Sequence, residues 1–249
     1  MADTRHLIAG NWKMHGLAAS LDEARSLMAW LDEHPVGARI ALCPPATLIS
    51  RMAEALAGST IDIGSQDCRA EAFGAFTGDI SAEMLADAGA RLVILGHSER
   101  RAGHGETDAM VAAKVEAALR AGLEPIVCVG ESLEQRRAGD AIAVVTGQIR
   151  ASLPSMLRGQ VFSVAYEPVW AIGSGLTPSI ADIEAMHRAI RATLNARLGM
   201  TDPRPAILYG GSVKADNAAQ ILAAQEVGGA LVGGASLTAE SFAAILASA

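Results

Sequence analysis

Eight short runs rich in Val, Ile and Leu recur along the chain, near residues 6-10, 39-43, 61-65, 91-96, 125-130, 161-167, 206-210 and 229-233, and this rhythm limits the fold more than any other feature. Longer amphipathic segments separate the runs. Leu17, Leu21, Ala24, Met28 and Leu31 repeat at helical spacing, as do Ile183, Met186, Ile190 and Leu194. Helix-start signals agree: Ser20 with Glu23 reads as a capping box, and Ser179 with Asp182 places a cap and a first-turn acid before a periodic run. The runs are almost continuously apolar rather than alternating, so both faces of the sheet they build must be covered. Strand and helix in regular alternation then call for a parallel sheet. A closed (β/α)8 barrel accommodates all eight repeats, and 249 residues suits one such domain spanning 1–249. A doubly wound open sheet is the competitor. It would carry a glycine fingerprint after the first strand, where Gly10-Asn11-Trp12-Lys13 stands instead.

Composition narrows the partners. A formal net charge of -7 disfavours nucleic acid and anionic membranes, both of which select basic surfaces. A small anionic substrate needs only local donors and is allowed. No Pro-, Ser- or Gly-rich tract marks a linker. Cys43, Cys68 and Cys128 lie far apart, suggesting neither a metal site nor a disulfide framework and fitting a reducing cytoplasm. The short apolar run Leu7-Ile8-Ala9 is too little for a signal peptide, and no apolar stretch is long enough to span a membrane.

In a parallel barrel the active site is built where the strands end, so the residues delivered there carry the chemistry. The first run delivers Asn11 and Lys13, the fourth Gly96-His97-Ser98-Glu99-Arg100-Arg101, the seventh Gly210-Gly211-Ser212 and the eighth Gly233-Gly234. The sixth ends in Ala165-Tyr166-Glu167-Pro168-Val169-Trp170-Ala171-Ile172-Gly173, a carboxylate followed by a small-residue loop. That pattern suits a base under a lid, and equally an ordinary surface glutamate. Lys13 alone could be a solvated loop residue, and the glycine pairs could be tight turns. The stretch Gln66 to Gly78 is long for a strand-to-helix loop and carries Phe73 and Phe76. It either folds back over its own barrel or inserts into a partner subunit.

Six segments in order, Asn11-Trp12-Lys13-Met14, Gly74-Ala75-Phe76-Thr77-Gly78, Ile94 to Arg101, Ala165 to Gly173, Tyr209 to Val213 and Leu231 to Ala235, make the chain resemble the triosephosphate isomerase family from end to end. The resemblance implies a single-domain (β/α)8 TIM barrel and interconversion of dihydroxyacetone phosphate and D-glyceraldehyde 3-phosphate through an enediolate, with no cofactor and no metal. It makes Glu167 the base, His97 a neutral electrophile and Lys13 and Asn11 donors toward substrate, with Glu99 orienting Lys13 and Ser98 supporting His97. Phosphate would be held by Asn11, Lys13, Gly173, Ser212, Gly233 and Gly234. The implied lid is Pro168-Val169-Trp170-Ala171-Ile172-Gly173-Ser174-Gly175-Leu176, where Ser174 replaces a frequent Thr and Leu176 a common Lys. The implied assembly is a homodimer joined through the loop of Phe76 and Thr77. An isomerase of tetrose phosphates on the same scaffold, or a barrel that binds sugar phosphate without turnover, remains open at this point.

Overall fold

The computed structural model describes residues 6–171, 176–199 and 203–249. β1 (Leu7–Asn11) leads through α1 (Leu21–Glu33) to β2 (Arg39–Cys43), α2 (Ile49–Ala55) and β3 (Ile61–Ser65). The chain continues through α3 (Ala82–Asp87), β4 (Leu92–Leu95), α4 (Ser98–His104) and α5 (Asp108–Arg120) to β5 (Glu124–Val129). Next come α6 (Leu133–Arg137), α7 (Ala141–Ser152), β6 (Ser163–Tyr166) and α8 (Ile180–Leu198). β7 (Ala206–Tyr209), α9 (Ala218–Leu222), β8 (Gly229–Val232) and α10 (Ala239–Leu246) complete the order. Each strand pairs in parallel with its sequence neighbours. β1 also pairs with β8, Leu7 opposite Gly229, and the sheet closes into an eight-stranded barrel.

Two buried clusters explain why the strand runs are apolar at nearly every position. Leu7, Ala9, Ala41, Cys43, Ile94 and Cys128 pack together inside the barrel. Their alternating neighbours Ile8, Ile40, Leu42, Val93, Leu95 and Val127 belong to the second cluster, shared with the helices. Each large aliphatic side chain removed from water on either face contributes about 1.5–3 kcal/mol, so neither face tolerates a polar stripe. The outer layer holds the helical periodicity read in α8, where Ile183, Met186, Ile190 and Leu194 are all buried. Its start is also as expected: Ser179 Oγ accepts from the Asp182 N–H at 3.2 Å, and the Asp182 carboxylate accepts from the Ser179 N–H at 3.2 Å.

The start of α1 differs from expectation. Ser20 makes no cap bond to the helix; its hydroxyl accepts from the Leu17 N–H at 3.0 Å, because a 3-10 turn over Ala18–Ser20 folds it backwards. Glu23 instead takes the N–H of Ala239 at 2.7 Å, satisfying an orphan donor in the first turn of the neighbouring α10. Leu17 therefore lies outside the helix and is 80% exposed, and Leu27 fills the buried face with Leu21, Ala24 and Leu31.

The long stretch after β3 is organised around Arg69. Its guanidinium lies 3.7 Å from the centre of the Phe76 ring and pairs with Glu71 at 2.9 Å and Asp79 at 2.6 Å, while its backbone N–H binds the Ile80 carbonyl. One phenylalanine is thus held within the chain. Phe73, in contrast, is 85% exposed.

Candidate active site

Gly96 ends β4 with φ of 67°, a left-handed turn that swings the next residue into the N-cap position of α4. That residue is His97. Its Nδ1 lies 3.2 Å from the backbone nitrogen of Glu99 and accepts that N–H, while the Glu99 carboxylate, 3.6 Å from the same atom, is too distant to take a proton from it. That contact makes Nδ1 the acceptor and leaves Nε2 as the nitrogen free to donate. Nε2 faces Glu167 Oε1 at 2.8 Å.

Glu167 follows directly after β6 and is 1% exposed. Its N–H binds the Val129 carbonyl at 2.8 Å, continuing the ladder one step beyond the strand. Its Oε2 accepts from the Ser98 N–H at 2.9 Å, with the Ser98 hydroxyl 3.4 Å from Oε1. The backbone just beyond β5 approaches so closely that a Cβ on Gly130 would stand 1.9 Å from the Glu167 carbonyl oxygen. Beside it, burial and the Glu167 charge push the Cys128 thiol far above its ordinary range, so it stays protonated.

Lys13 adopts φ of 53°, a conformation that costs a side-chain-bearing residue about 1–2 kcal/mol. Several bonds hold it there. Its N–H donates to Asn11 Oδ1 at 3.0 Å, and Gln66 Nε2 donates to the Lys13 carbonyl at 2.8 Å and to that of Cys43 at 2.9 Å. The ammonium lies 2.5 Å from Glu99 Oε1. Burial pushes the Glu99 carboxyl up, but the Lys13 bond and the nearby charges outweigh it and hold the group below its ordinary range.

The opposite wall is nearly all backbone. After β7 come Gly210, Gly211 and Ser212; after β8, Gly233 precedes a 3-10 turn over Gly234–Ser236. Among the described residues, no acceptor takes the N–H of Ser212, Gly233 or Gly234. A Cβ on Gly234 would meet nothing within 4 Å, so the space before it is open. Gly173 lies outside the described residues. Asn11, Lys13, His97, Glu167, Ser212 and Gly233 line one cavity of about 350 Å³. A larger cleft of about 830 Å³ lies on the other side of Lys13, among Met14, Asp67, Arg69 and Lys114. Size does not decide between them: of the two, the smaller brings together a buried carboxylate, an imidazole, an ammonium and N–H groups that have no acceptor among the described residues.

A sequence model described as Triosephosphate isomerase matches residues 6–249. A protein of that name from Caulobacter vibrioides is 60% identical over 242 residues, covering 97% of this chain and 96% of its own. Another from Xanthobacter flavus is 56% identical over 244 residues, covering 98% and 97%. The crystal structure of triosephosphate isomerase from Bartonella henselae superposes with a TM-score of 0.90 at 44% identity, covering 97% of both chains. The chain belongs to the triosephosphate isomerase family.

Within this triosephosphate isomerase fold, Asn11, Lys13, His97, Ser98, Glu99, Glu167, Ser212, Gly233 and Gly234 gather around one end of the barrel. Three residues were missed: Gln66, Gly130 and Glu131. Glu131 follows β5 and is fully buried, accepting from Trp170 Nε1 at 2.8 Å and from Tyr166 Oη at 3.1 Å. The signal was available, since the fifth run ends in a carboxylate just as the sixth does. Of the lid expected over Pro168 to Leu176, Val169–Ala171 forms a 3-10 turn and Leu176 is exposed; Ile172, Gly173, Ser174 and Gly175 lie outside the described residues. His187 is buried beside Tyr166, their rings edge to face, and burial pushes it down to about 4. No helix among the described residues is long and apolar enough to cross a membrane.

Proposed function

We propose that Glu167, His97, Lys13 and Asn11 carry, on this chain, the reaction of its family: interconversion of dihydroxyacetone phosphate and D-glyceraldehyde 3-phosphate. The 2.8 Å approach of His97 Nε2 to Glu167 Oε1 supports this assignment above all. Removing a proton α to a carbonyl requires a base at one carbon and a hydrogen-bond donor at the oxygen of the next. A base and a donor this close address adjacent atoms. Glu167 takes the proton; the C–H pair becomes the C=C bond of an enediolate, and the carbonyl oxygen gains negative charge. That charge meets the His97 Nε2–H and the Lys13 ammonium, both fixed before substrate arrives. One hydroxyl proton passes from the first oxygen of the enediolate to the second, and return of the carbon-bound proton to the neighbouring carbon completes the isomerisation, with no cofactor.

Backbone N–H groups of Gly173, Ser212, Gly233 and Gly234, with Lys13 and Asn11, form the phosphate site in this proposal. Unpaired donors around open space suit a dianion, and a glycine lets the anion come close to the backbone. The lid from Pro168 to Leu176 excludes water from the enediolate, which would otherwise expel its phosphate. Residues 1–249 act as one domain. The buried thiols of Cys43, Cys68 and Cys128 suit a reducing cytoplasm.

A homodimer completes the proposal, through the loop carrying Phe76 and Thr77. Exposure of Phe73 at 85% and Met14 at 94%, with the 830 Å³ cleft adjoining Lys13, supports it. Thr77→Arg should yield a poorly active monomer in sedimentation; a fully active monomer would count against the assembly. The catalytic reading is tested by a coupled spectrophotometric assay on glyceraldehyde 3-phosphate and on a tetrose phosphate. Turnover is expected on the triose. Turnover confined to the tetrose, or tight binding of the enediolate mimic phosphoglycolate without isomerisation, would overturn it.

A further inference from the structure

β4 and β5 stay in register up to Leu95 opposite Val127, and the next pair along would be Gly96 with Cys128. That pair never forms, because Gly96 turns away into α4. A side chain occupies the junction instead. Arg101 donates from Nε to the Gly96 carbonyl at 2.8 Å and from a terminal nitrogen to the Cys128 carbonyl at 3.2 Å, so one guanidinium spans both departing strand ends.

The guanidinium is itself anchored. Its other terminal nitrogen meets Asp108 Oδ1 at 2.7 Å, and the nitrogen bound to Cys128 also meets Ser152 Oγ at 3.2 Å. Ser152 donates to the same Asp108 oxygen at 2.8 Å and is fully buried. Asp108 opens α5 and Ser152 closes α7, so two outer helices fix the fork in its plane.

The Arg101 backbone N–H donates to the His97 carbonyl at 3.0 Å as part of the first turn of α4, but its guanidinium bonds to neither His97 nor Glu167 and instead grips the supports of both. The Gly96 carbonyl belongs to the peptide whose nitrogen is that of His97. Cys128 bears the thiol beside the Glu167 carboxylate, and the following residue, Val129, accepts the Glu167 N–H. We propose that Arg101 is a positioning residue: it replaces the missing ladder bond between β4 and β5 and so sets the separation and angle of His97 and Glu167. This rests on the catalytic assignment of those two residues. The role needs a planar fork with several fixed donors, which lysine lacks.

Three variants test it: Arg101→Met, Arg101→Lys and Asp108→Asn, each measured for kcat, KM, phosphoglycolate affinity and the 15N resonances of His97. Arg101→Met should lower kcat about a hundredfold, the cost of a misplacement near 1 Å, while phosphoglycolate affinity stays close to that of the parent. The His97 nitrogens should lose the signature of a single Nε2–H tautomer. Arg101→Lys should recover part of kcat. Asp108→Asn, which leaves the guanidinium in place but neutralises the carboxylate that anchors it, should lower kcat less and in the same direction. Parental kcat in Arg101→Met overturns the proposal. If that variant fails to fold, parental kcat and an unchanged His97 signature in both other variants overturn it. His97→Gln and Glu167→Gln run alongside: parental turnover in those would instead overturn the catalytic assignment beneath.

Discussion

The rim of the barrel above β4 to β6 and the rim above β7 and β8 face the same cavity but are built in opposite ways. On the first, His97, Ser98 and Glu167 hydrogen-bond to one another or to nearby backbone at 2.8 to 3.4 Å, and the Glu167 backbone lies so close to Gly130 that no side chain fits there. On the second, the N–H groups of Ser212, Gly233 and Gly234 have no acceptor among the described residues, and the glycines expose plain backbone. The contrast separates two tasks. Proton transfer needs groups whose orientation and protonation are settled beforehand, because reorganising them during the reaction would add to the barrier. Anion binding needs donors whose capacity is still open, because a donor satisfied within the protein contributes little net affinity. Each such bond to a charged oxygen is worth about 1.5–3 kcal/mol.

Substitutions on the two rims should therefore fail in different ways. Glu167→Gln removes the proposed base and keeps the shape; kcat should fall about a thousandfold, within the range attributed to positioned general bases, while phosphoglycolate affinity changes little. A comparable turnover in that variant would break the comparison at its strongest point. Gly233→Ala acts on the other rim. Its new Cβ would stand 3.4 Å from Lys13 Cε, narrowing the approach to the unpaired N–H groups. Phosphoglycolate should bind about tenfold more weakly, the equivalent of about 1.4 kcal/mol, with kcat nearly retained. A large kcat loss without an affinity loss would reverse the assignment of the rims. Ser98→Ala is the mildest. The hydroxyl is 3.4 Å from Glu167 whereas the backbone N–H is at 2.9 Å, so the backbone bond should persist and kcat should drop only about twofold, near 0.5 kcal/mol. A loss as large as that of Glu167→Gln would place the control of the base in the hydroxyl.

Much of this arrangement was legible in the sequence, for a reason specific to parallel barrels. Every strand ends on the same side, so the residue after each apolar run is already sorted to the active face, and Asn11, Lys13, His97 and Glu167 could be placed by counting. What the chain order hides is contact between distant segments. Arg101 finds partners 27 and 51 positions away, and Glu23 caps a helix that starts 216 positions later. A Ser and a Glu at capping-box spacing say only what α1 could do alone; the turn before Ser20 and the packing of α10 decided otherwise. Glu131 was different, since it carried the same strand-end signal as Glu167 and went unread. Gly173 and its neighbours in the lid are legible only as a motif, because they lie outside the described residues.

The central claim is that the free protein has one rim settled and the other open. Titrating 15N-labelled protein with phosphoglycolate tests it most directly, following the backbone amides of Ser212, Gly233 and Gly234 together with the ring nitrogens of His97. The account predicts that these amides move strongly downfield on binding, while His97 remains the neutral Nε2–H tautomer before and after. Amides that do not move, or a His97 ring that changes tautomer or gains a second proton as the ligand binds, would contradict it.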